Sequence, residues 1–383
     1  MTIQQMLLGT GAASGLFDFT SFEFTQAGDG QREGRTKAQI LAHSDYDTTT
    51  YTWLNDTNFF DVTTSDGVYP VGIQIFTIPK DGTYRIEARG GYGGSIGNHS
   101  TNVLTAYTGG IGARIQGDFN LTEGEKLEIL VGNEGDDLFY DAGIGQGGAS
   151  GGGGSFVIKK SSNGSYSNSD ILIIAGGGGG AEYYSGRNSS SHGGNGRPST
   201  ADSTGVGNPA GGGGSSSVVD PYGSYGSAAP SGLSGNNASH TYGGEDGYGG
   251  GGGLGGGGGG FYGRGGWGYT SGSHAGFGYV SEIGEYNYMD RARGGQNDAT
   301  SGSNLGYGGF GGGGGGYMNS GYGGGGGGFS GGGGGSYYNG LGGNGGGGGS
   351  YNSGSNKVET VFNQTNHPDT VTGYDSFVKI TLL

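Results

Sequence analysis

Glycine stands in unbroken or nearly unbroken runs at 151–154, 176–180, 211–214, 249–260, 311–316, 323–328, 331–335 and 345–349. No other feature restricts the fold as much. Glycine loses more conformational freedom on ordering than any other residue, and inside a regular element it is worse than alanine by roughly 0.5–1 kcal/mol. The chain holds 105 glycines in 383 residues, and a run without side chains cannot build an apolar core. Such a run is either a solvated linker or ordered through its backbone alone. Only 7 prolines are present and Gly-X-Y periodicity is missing, so collagen is excluded.

Two observations argue against the linker. A good β-strand pattern, "DSFVKITLL", returns after the glycine region, and aromatic clusters recur between the runs. The ordered alternative uses polyproline-II backbone, with three residues per turn and about 3.1 Å per residue. That helix has no internal hydrogen bonds, so neighbouring helices must satisfy its N–H and C=O groups. Only glycine lets backbones come that close. Runs of five or six residues would give helices of roughly 15–19 Å, and each lateral hydrogen bond contributes a net ~0.5–1.5 kcal/mol against the ordering entropy. The expectation is a polyglycine-II bundle with aromatic tips over 176–355, its runs beginning near 142.

The sequence outside the runs reads as β-structure. In "VGIQIFTIPKDGTYRIEARG" Val71, Ile73 and Ile75 share one side, and beyond the "PKDG" turn Tyr84, Ile86 and Ala88 alternate with Arg85, Glu87 and Arg89. This period of two predicts an antiparallel hairpin with one buried face. "IGARIQGDFNLTEGEKLEILVGN" repeats the device around "TEG", with Ile115, Phe119, Leu127, Ile129 and Val131 inward. "SFVIKK" and "DILIIAG" add strands, the second apolar on both faces and therefore central. The pattern indicates a mainly β protein, a β-sandwich over 66–175 plus 372–383, with 356–371 as a return segment. Residues 1–65 are set apart as an N-terminal attachment region with one short helix, in which Thr36 caps and Ile40 and Leu41 face inward.

Charge and composition exclude several functions. A formal net charge of −15 opposes nucleic-acid binding and attraction to anionic membrane surfaces. No stretch approaches about 20 apolar residues, so no membrane insertion is expected. Cysteine is absent, which removes disulfides and Cys-based metal sites. The opening segment lacks the basic and apolar regions of a signal peptide. His43, His99, His192, His240, His274 and His367 show no metal-ligand spacing, and "HSDYDT" and "GEDG" lack a full calcium ligand set. G-x-G-x-x-G recurs only because glycine does, without the strand and helix a dinucleotide site needs. "RGG" at Arg89, Arg264 and Arg293 is too sparse for RNA binding in so acidic a chain. No nucleophile, base or acid set converges, so no enzyme activity and no cofactor are expected.

The segments between runs are rich in Tyr, Ser, Gly and Asn, the composition of antibody loops, where tyrosine supplies a stiff amphipathic face at low entropy cost. The candidate receptor-binding residues are Phe261, Tyr262, Arg264, Trp267, Tyr269, Phe277, Tyr279, Tyr286 and Tyr288 on the longest tip, 261–294. Tyr183, Tyr184, Tyr222, Tyr225, Tyr337 and Tyr338 lie on others. The competing reading is that these rings cap and shield the ends of a slab that has no apolar core of its own.

"FTIPKDGTYRIEARGGYGG", "GARIQGDFNLTEGEKLEILVGNEG", "GGASGGGGSFVIKK" and "ILIIAGGGGGAEYYSG" resemble the glycine-rich domain of the anaplastic lymphoma kinase ectodomain and many bacterial and viral glycine-rich proteins. That resemblance implies a tumour-necrosis-factor-like jelly-roll sandwich with an inserted bundle of polyglycine-II helices, and a trimer by analogy. "MTIQQMLLGTGAA" and "GRTKAQILAHSDYDTTTYTWLNDTNFFDV" resemble tailed-phage structural proteins. The alternation of glycine runs with variable tips resembles the distal tail-fibre adhesins of T-even-like phages. Together these imply a non-enzymatic virion protein, made in the host cytoplasm. It would be a tail-fibre or tail-tip adhesin, joined to other virion proteins through its N-terminal region and binding a host-surface glycan or outer-membrane protein. The alternative is a capsid decoration or extracellular filament subunit whose tips pack between copies.

Overall fold

The computed structural model describes residues 15–27, 32–64, 72–98, 103–140, 146–184, 189–191, 193–196, 248–252, 254–268, 275–280, 291–296, 306–317, 322–335, 343–360 and 376–383. Its strands are, in chain order, β1 (Ser21–Thr25), β2 (Phe60–Val62), β3 (Gln74–Thr77), β4 (Gly82–Arg89), β5 (Ile96–Asn98), β6 (Val103–Tyr107), β7 (Arg114–Leu121), β8 (Lys126–Leu130), β9 (Leu138–Tyr140), β10 (Gln146–Gly148), β11 (Ser155–Lys159), β12 (Ile171–Ala175), β13 (Glu182–Tyr184), β14 (Ser189–Ser191), β15 (Tyr351–Asn352), β16 (Ser355–Thr360) and β17 (Phe377–Leu382). One short helix, α1 (Lys37–Leu41), precedes β2. The protein is therefore mainly β.

Two large sheets enclose the main core. A five-stranded sheet runs β1-β17-β4-β7-β16 and a six-stranded sheet runs β15-β12-β11-β8-β3-β2, every pairing antiparallel. The period of two sends Tyr84, Ile86 and Ala88 of β4 into the space between them, against Leu127 and Ile129 of β8. Ile115 and Phe119 of β7 and Val131 join the same cluster. Two three-stranded sheets, β6-β5-β9 and β10-β13-β14, lie outside this sandwich.

Both expected hairpins turn out to be crossings between the sheets. β3 pairs with β2 and β8, while β4 pairs with β17 and β7. β7 and β8 likewise sit in opposite sheets. The reason lies in β3 and β8, which bury both faces. Phe76 and Ile78 point into the main core, and Ile73 and Ile75 into a second one on the far side. A strand that buries both faces belongs to a sheet covered on both sides.

Residues 15–64 belong to the sandwich and do not form a separate region. β1 pairs with β17 along Ser21–Thr25, and β2 closes the edge of the six-stranded sheet. Phe22, Phe24, Tyr46, Trp53, Leu54 and Phe60 are buried in the main core. The Trp53 ring lies 5.1 Å from Phe22 and 5.4 Å from Phe76 in edge-on arrangements. Tyr46 Oη accepts from the Thr25 amide at 3.0 Å and donates to Gln74 Oε1 at 2.7 Å. Thr36 caps α1 through a capping box with Gln39, and Ile40 is buried while Leu41 packs against the core at its rim.

The described glycine runs are joined laterally by backbone hydrogen bonds. In the run 323–328, Gly323 and Gly326 donate to Gly343 and Gly346, Gly324 and Gly327 to Ala149 and Gly152, and Gly325 and Gly328 to Gly256 and Gly259. Its carbonyls accept in the same rhythm: Gly323 and Gly326 from Gly335 and Gly332, Gly324 and Gly327 from Gly180 and Gly177, and Gly325 from Gly314. All of these bonds measure 2.7–3.2 Å. Every third residue thus meets the same neighbour, and the run is ringed by six segments. Partner numbers rise on the donating sides and fall for the 335/332 and 180/177 pairs, so parallel and antiparallel neighbours mix.

The need for glycine here is proximity. A Cβ on Gly326 would lie 2.3 Å from the Gly177 carbonyl oxygen. Among the described glycines of the runs, left-handed φ occurs only at Gly311 and Gly312, so conformational freedom is not the general cause. The lattice begins where strands end. β4 runs on into Gly90, Gly91, Gly93 and Gly94, whose amides donate to Ala113, Gly153, Gly110 and Ser150. β12 runs on into 176–180, and β11 emerges from 151–154.

Candidate functional site

The long tip is built onto the outer face of the six-stranded sheet. Ile73, Ile75, Leu130, Phe156, Ile158, Ile171 and Ile174 would leave that face apolar and wet. Phe261, Tyr279, Ala292, Phe310 and Phe329 from the glycine-rich part cover it and make the second core. The rings form a row along the sheet's outer face, from Phe156 through Tyr279, Phe261 and Phe329 to Tyr351. Tyr279 lies 5.0 Å from Phe156, and Phe261 lies 5.5 Å from Tyr279, with interplanar angles of 23° and 12°. Backbone bonds fix the base of the tip: the Phe261 amide donates to Phe329, Val280 to Phe261 and Ala292 to Gly278.

A buried charge anchors this cover. Glu128, at the centre of β8, is fully buried on the outer face. Its Oε2 accepts from Tyr279 Oη at 2.6 Å, and its Oε1 accepts from Tyr166 Oη at 2.7 Å and Lys160 Nζ at 3.3 Å. Arg291 stands 3.6 Å from Glu128, with its guanidinium 4.7 Å from the Tyr279 ring centre, and donates through Nε to the Tyr279 carbonyl at 2.7 Å. Burial, and then the Glu128 charge, holds the Tyr279 and Tyr166 hydroxyls well above the ordinary tyrosine range. A buried carboxylate tolerates its desolvation only when paired and hydrogen-bonded, as here.

The candidate residues therefore divide. Phe261 and Tyr279 are wholly buried and act as core, so they offer no contact surface. Tyr262 is half-buried, donates to Asn168 Oδ1 at 2.7 Å and has its ring 6.3 Å from Tyr248. Arg264 and Trp267 are half-buried neighbours, the guanidinium 5.8 Å from the indole centre, and Phe277 is half-buried. Tyr183 sits on β13 in a third cluster, stacked on Tyr107 at 5.8 Å. Tyr184 is also on β13, paired with Gln146 and Ser189. Tyr222, Tyr225, Tyr269, Tyr286, Tyr288, Tyr337 and Tyr338 lie outside the described residues.

Sequence reasoning missed Glu128, Tyr166 and Arg291. In "KLEIL" the glutamate sits where an alternating strand puts a solvated residue, and its covering partner is 151 residues away. It also missed Arg32, which donates through Nε to the Gly294 carbonyl at 3.0 Å while the Gly294 amide donates back to the Arg32 carbonyl at 2.8 Å. Glu33 pairs with Arg293 beside it. The chain's early residues are thus fastened to the return limb of the long tip.

Among the described residues no His, Asp or Glu cluster has the makings of a metal site, and no helix is long and apolar enough to cross a membrane. No protein-family model matches the chain, and no curated protein is significantly similar to it.

Proposed function

We propose that this chain is a non-enzymatic virion structural protein, a phage tail-fibre or tail-tip adhesin in which the sandwich holds a rigid glycine lattice that presents aromatic tips to a host-surface receptor. The lattice is read as a polyglycine-II bundle. The three-residue rhythm of lateral bonds around 323–328, with six neighbouring segments, is what that helix requires. The sandwich is read as a tumour-necrosis-factor-like jelly roll.

The observation that carries the binding assignment is the division within the long tip. Its inner rings, Phe261 and Tyr279, are spent on covering the sheet, and its outer part keeps Tyr262 and the Arg264–Trp267 pair partly open on a base locked by Glu128. Rigid aromatic groups beside an arginine are the groups that dominate recognition surfaces. Residues near the N-terminus attach the protein to other virion components, and the receptor is a glycan or an outer-membrane protein.

The test is binding of labelled full-length protein to cells of the bacterial host, wild type against Trp267→Ala. The expected result is binding by the wild type and at least about a ten-fold loss in the folded variant. Absence of cell binding together with assembly of the wild type into filaments or onto capsids would replace this reading with that of a packing subunit.

A further inference from the structure

A second surface, separate from the tip, lies on the face of the five-stranded sheet that points away from the core. It forms a groove of about 600 Å3, within the range of small-molecule sites. Strand register builds its floor. Thr25, Phe377, Arg89 and Arg114 stand side by side across β1, β17, β4 and β7, and Glu23, Lys379 and Glu87 form the next row. Three strand spacings make the first row roughly 14 Å long. Asp45 and Tyr51 wall the groove beyond β1, where Asp45 accepts from the Thr25 hydroxyl at 2.8 Å.

The charges of this groove are balanced. Glu23, Asp45 and Glu87 face Arg89, Arg114 and Lys379, in a chain whose total is −15. Glu87 pairs with Arg114, and Lys379 lies 4.0 Å from Glu23. Arg89 is almost fully buried and donates to Tyr92 Oη. The Arg114 guanidinium stands 5.8 Å from the Phe377 ring centre, so cation and ring form one patch. An anionic or cationic ligand would have to break these pairs. A polyhydroxylated neutral ligand would not, because each hydroxyl donates to a carboxylate and accepts from a guanidinium or ammonium group. Phe377, half-buried on β17, supplies an apolar ring for the carbon side of a sugar.

We propose that this groove binds a neutral oligosaccharide, its hydroxyls bridging the Glu87–Arg114 and Glu23–Lys379 pairs and one ring lying on Phe377. The site does not rest on the adhesin reading of the tip. The test titrates the full chain with maltotriose, cellotriose and chitotriose as neutral probes and with trigalacturonate as the anionic control, by saturation-transfer NMR and calorimetry. At least one neutral trisaccharide is expected to bind. Phe377→Ala and Lys379→Ala should each weaken it by about ten-fold or more, while Trp267→Ala leaves it unchanged. In the unaltered protein the same ligand should slow amide exchange in β17 and β4. No binding by any neutral probe, tighter binding of trigalacturonate, full affinity in folded Lys379→Ala, or protection confined to 261–268 would each overturn the assignment. Loss of host-cell binding in Trp267→Ala tests the tip alone, so the two readings fail separately.

Discussion

The sandwich and the glycine lattice keep water out by opposite means. In the sandwich, side chains fill the space between two sheets, and Phe24, Phe60, Phe76 and Ile86 are wholly buried there. In the lattice, backbones touch, and Gly326 is so close to its neighbours that a Cβ would sit 2.3 Å from a carbonyl oxygen. The sandwich can lose or exchange methyl groups in graded steps, because neighbouring side chains shift. The lattice has nothing that can shift except the backbone itself. An apolar core is defined by which residues face in; the lattice is defined by which residues have nothing to put there.

The largest effect expected from this contrast is at the centre of the lattice. Gly326→Val adds three carbons where backbone surrounds the site on every side, and should leave no soluble folded protein on size-exclusion chromatography. Phe76→Ala, in the middle of the sandwich, should cost about 3–5 kcal/mol in urea unfolding yet yield a folded protein. If Gly326→Val were the milder of the two, the account of the lattice as backbone packing would be wrong.

The junction between the two regions should show itself at high pH. The Tyr279 and Tyr166 hydroxyls are both held above their ordinary value of 10.0, chiefly by burial. Their neutral forms therefore favour the folded state fully below pH 10, and that stability is lost as pH rises beyond it and the unfolded chain ionises first. The urea midpoint should fall between about pH 8 and about pH 11, and Tyr279→Phe should reduce the fall. A midpoint that is flat over that range would mean the tip does not seal Glu128 from water.

The smallest effect is expected at Gly124, in the turn between β7 and β8. Its φ is +81° and nothing lies within 4 Å of the position a Cβ would take. Gly124→Ala should cost about 1–2 kcal/mol, the strain of a left-handed alanine, with the lattice untouched. The same substitution at Gly326 meets backbone, so the two alanine variants separate conformational freedom from proximity as the reason for glycine.

The strands were legible because alternation is local. Tyr84, Ile86 and Ala88 or Ile115 and Phe119 declare their inward face within a few residues. Pairing was not legible, since β3–β4 and β7–β8 look like hairpins until the outer face of the six-stranded sheet is known to be covered. That cover comes from Phe261, Tyr279, Phe310 and Phe329, which follow the sheet's central strands by a hundred residues or more. An aromatic ring between glycines reads the same whether it seals a sheet or faces a partner, so the split between Phe261 and Trp267 lay outside local pattern. The three-residue rhythm of the runs was hidden for a simpler reason: a run of one residue type carries no register. The role of the described residues between 15 and 64 was missed because β1 and β2 are completed by β17 and β3, so neither face is decided by its own sequence.

Amide hydrogen exchange, resolved residue by residue along 323–328 and 176–180, tests the central claim most directly. If lateral backbone bonds order the lattice, these glycine amides exchange as slowly as those of β4 and β8, at rates set by opening of the folded protein. Exchange at the rate of an unstructured glycine peptide, with β4 and β8 still protected, would show that the runs are solvated linkers and that the backbone lattice does not exist in solution.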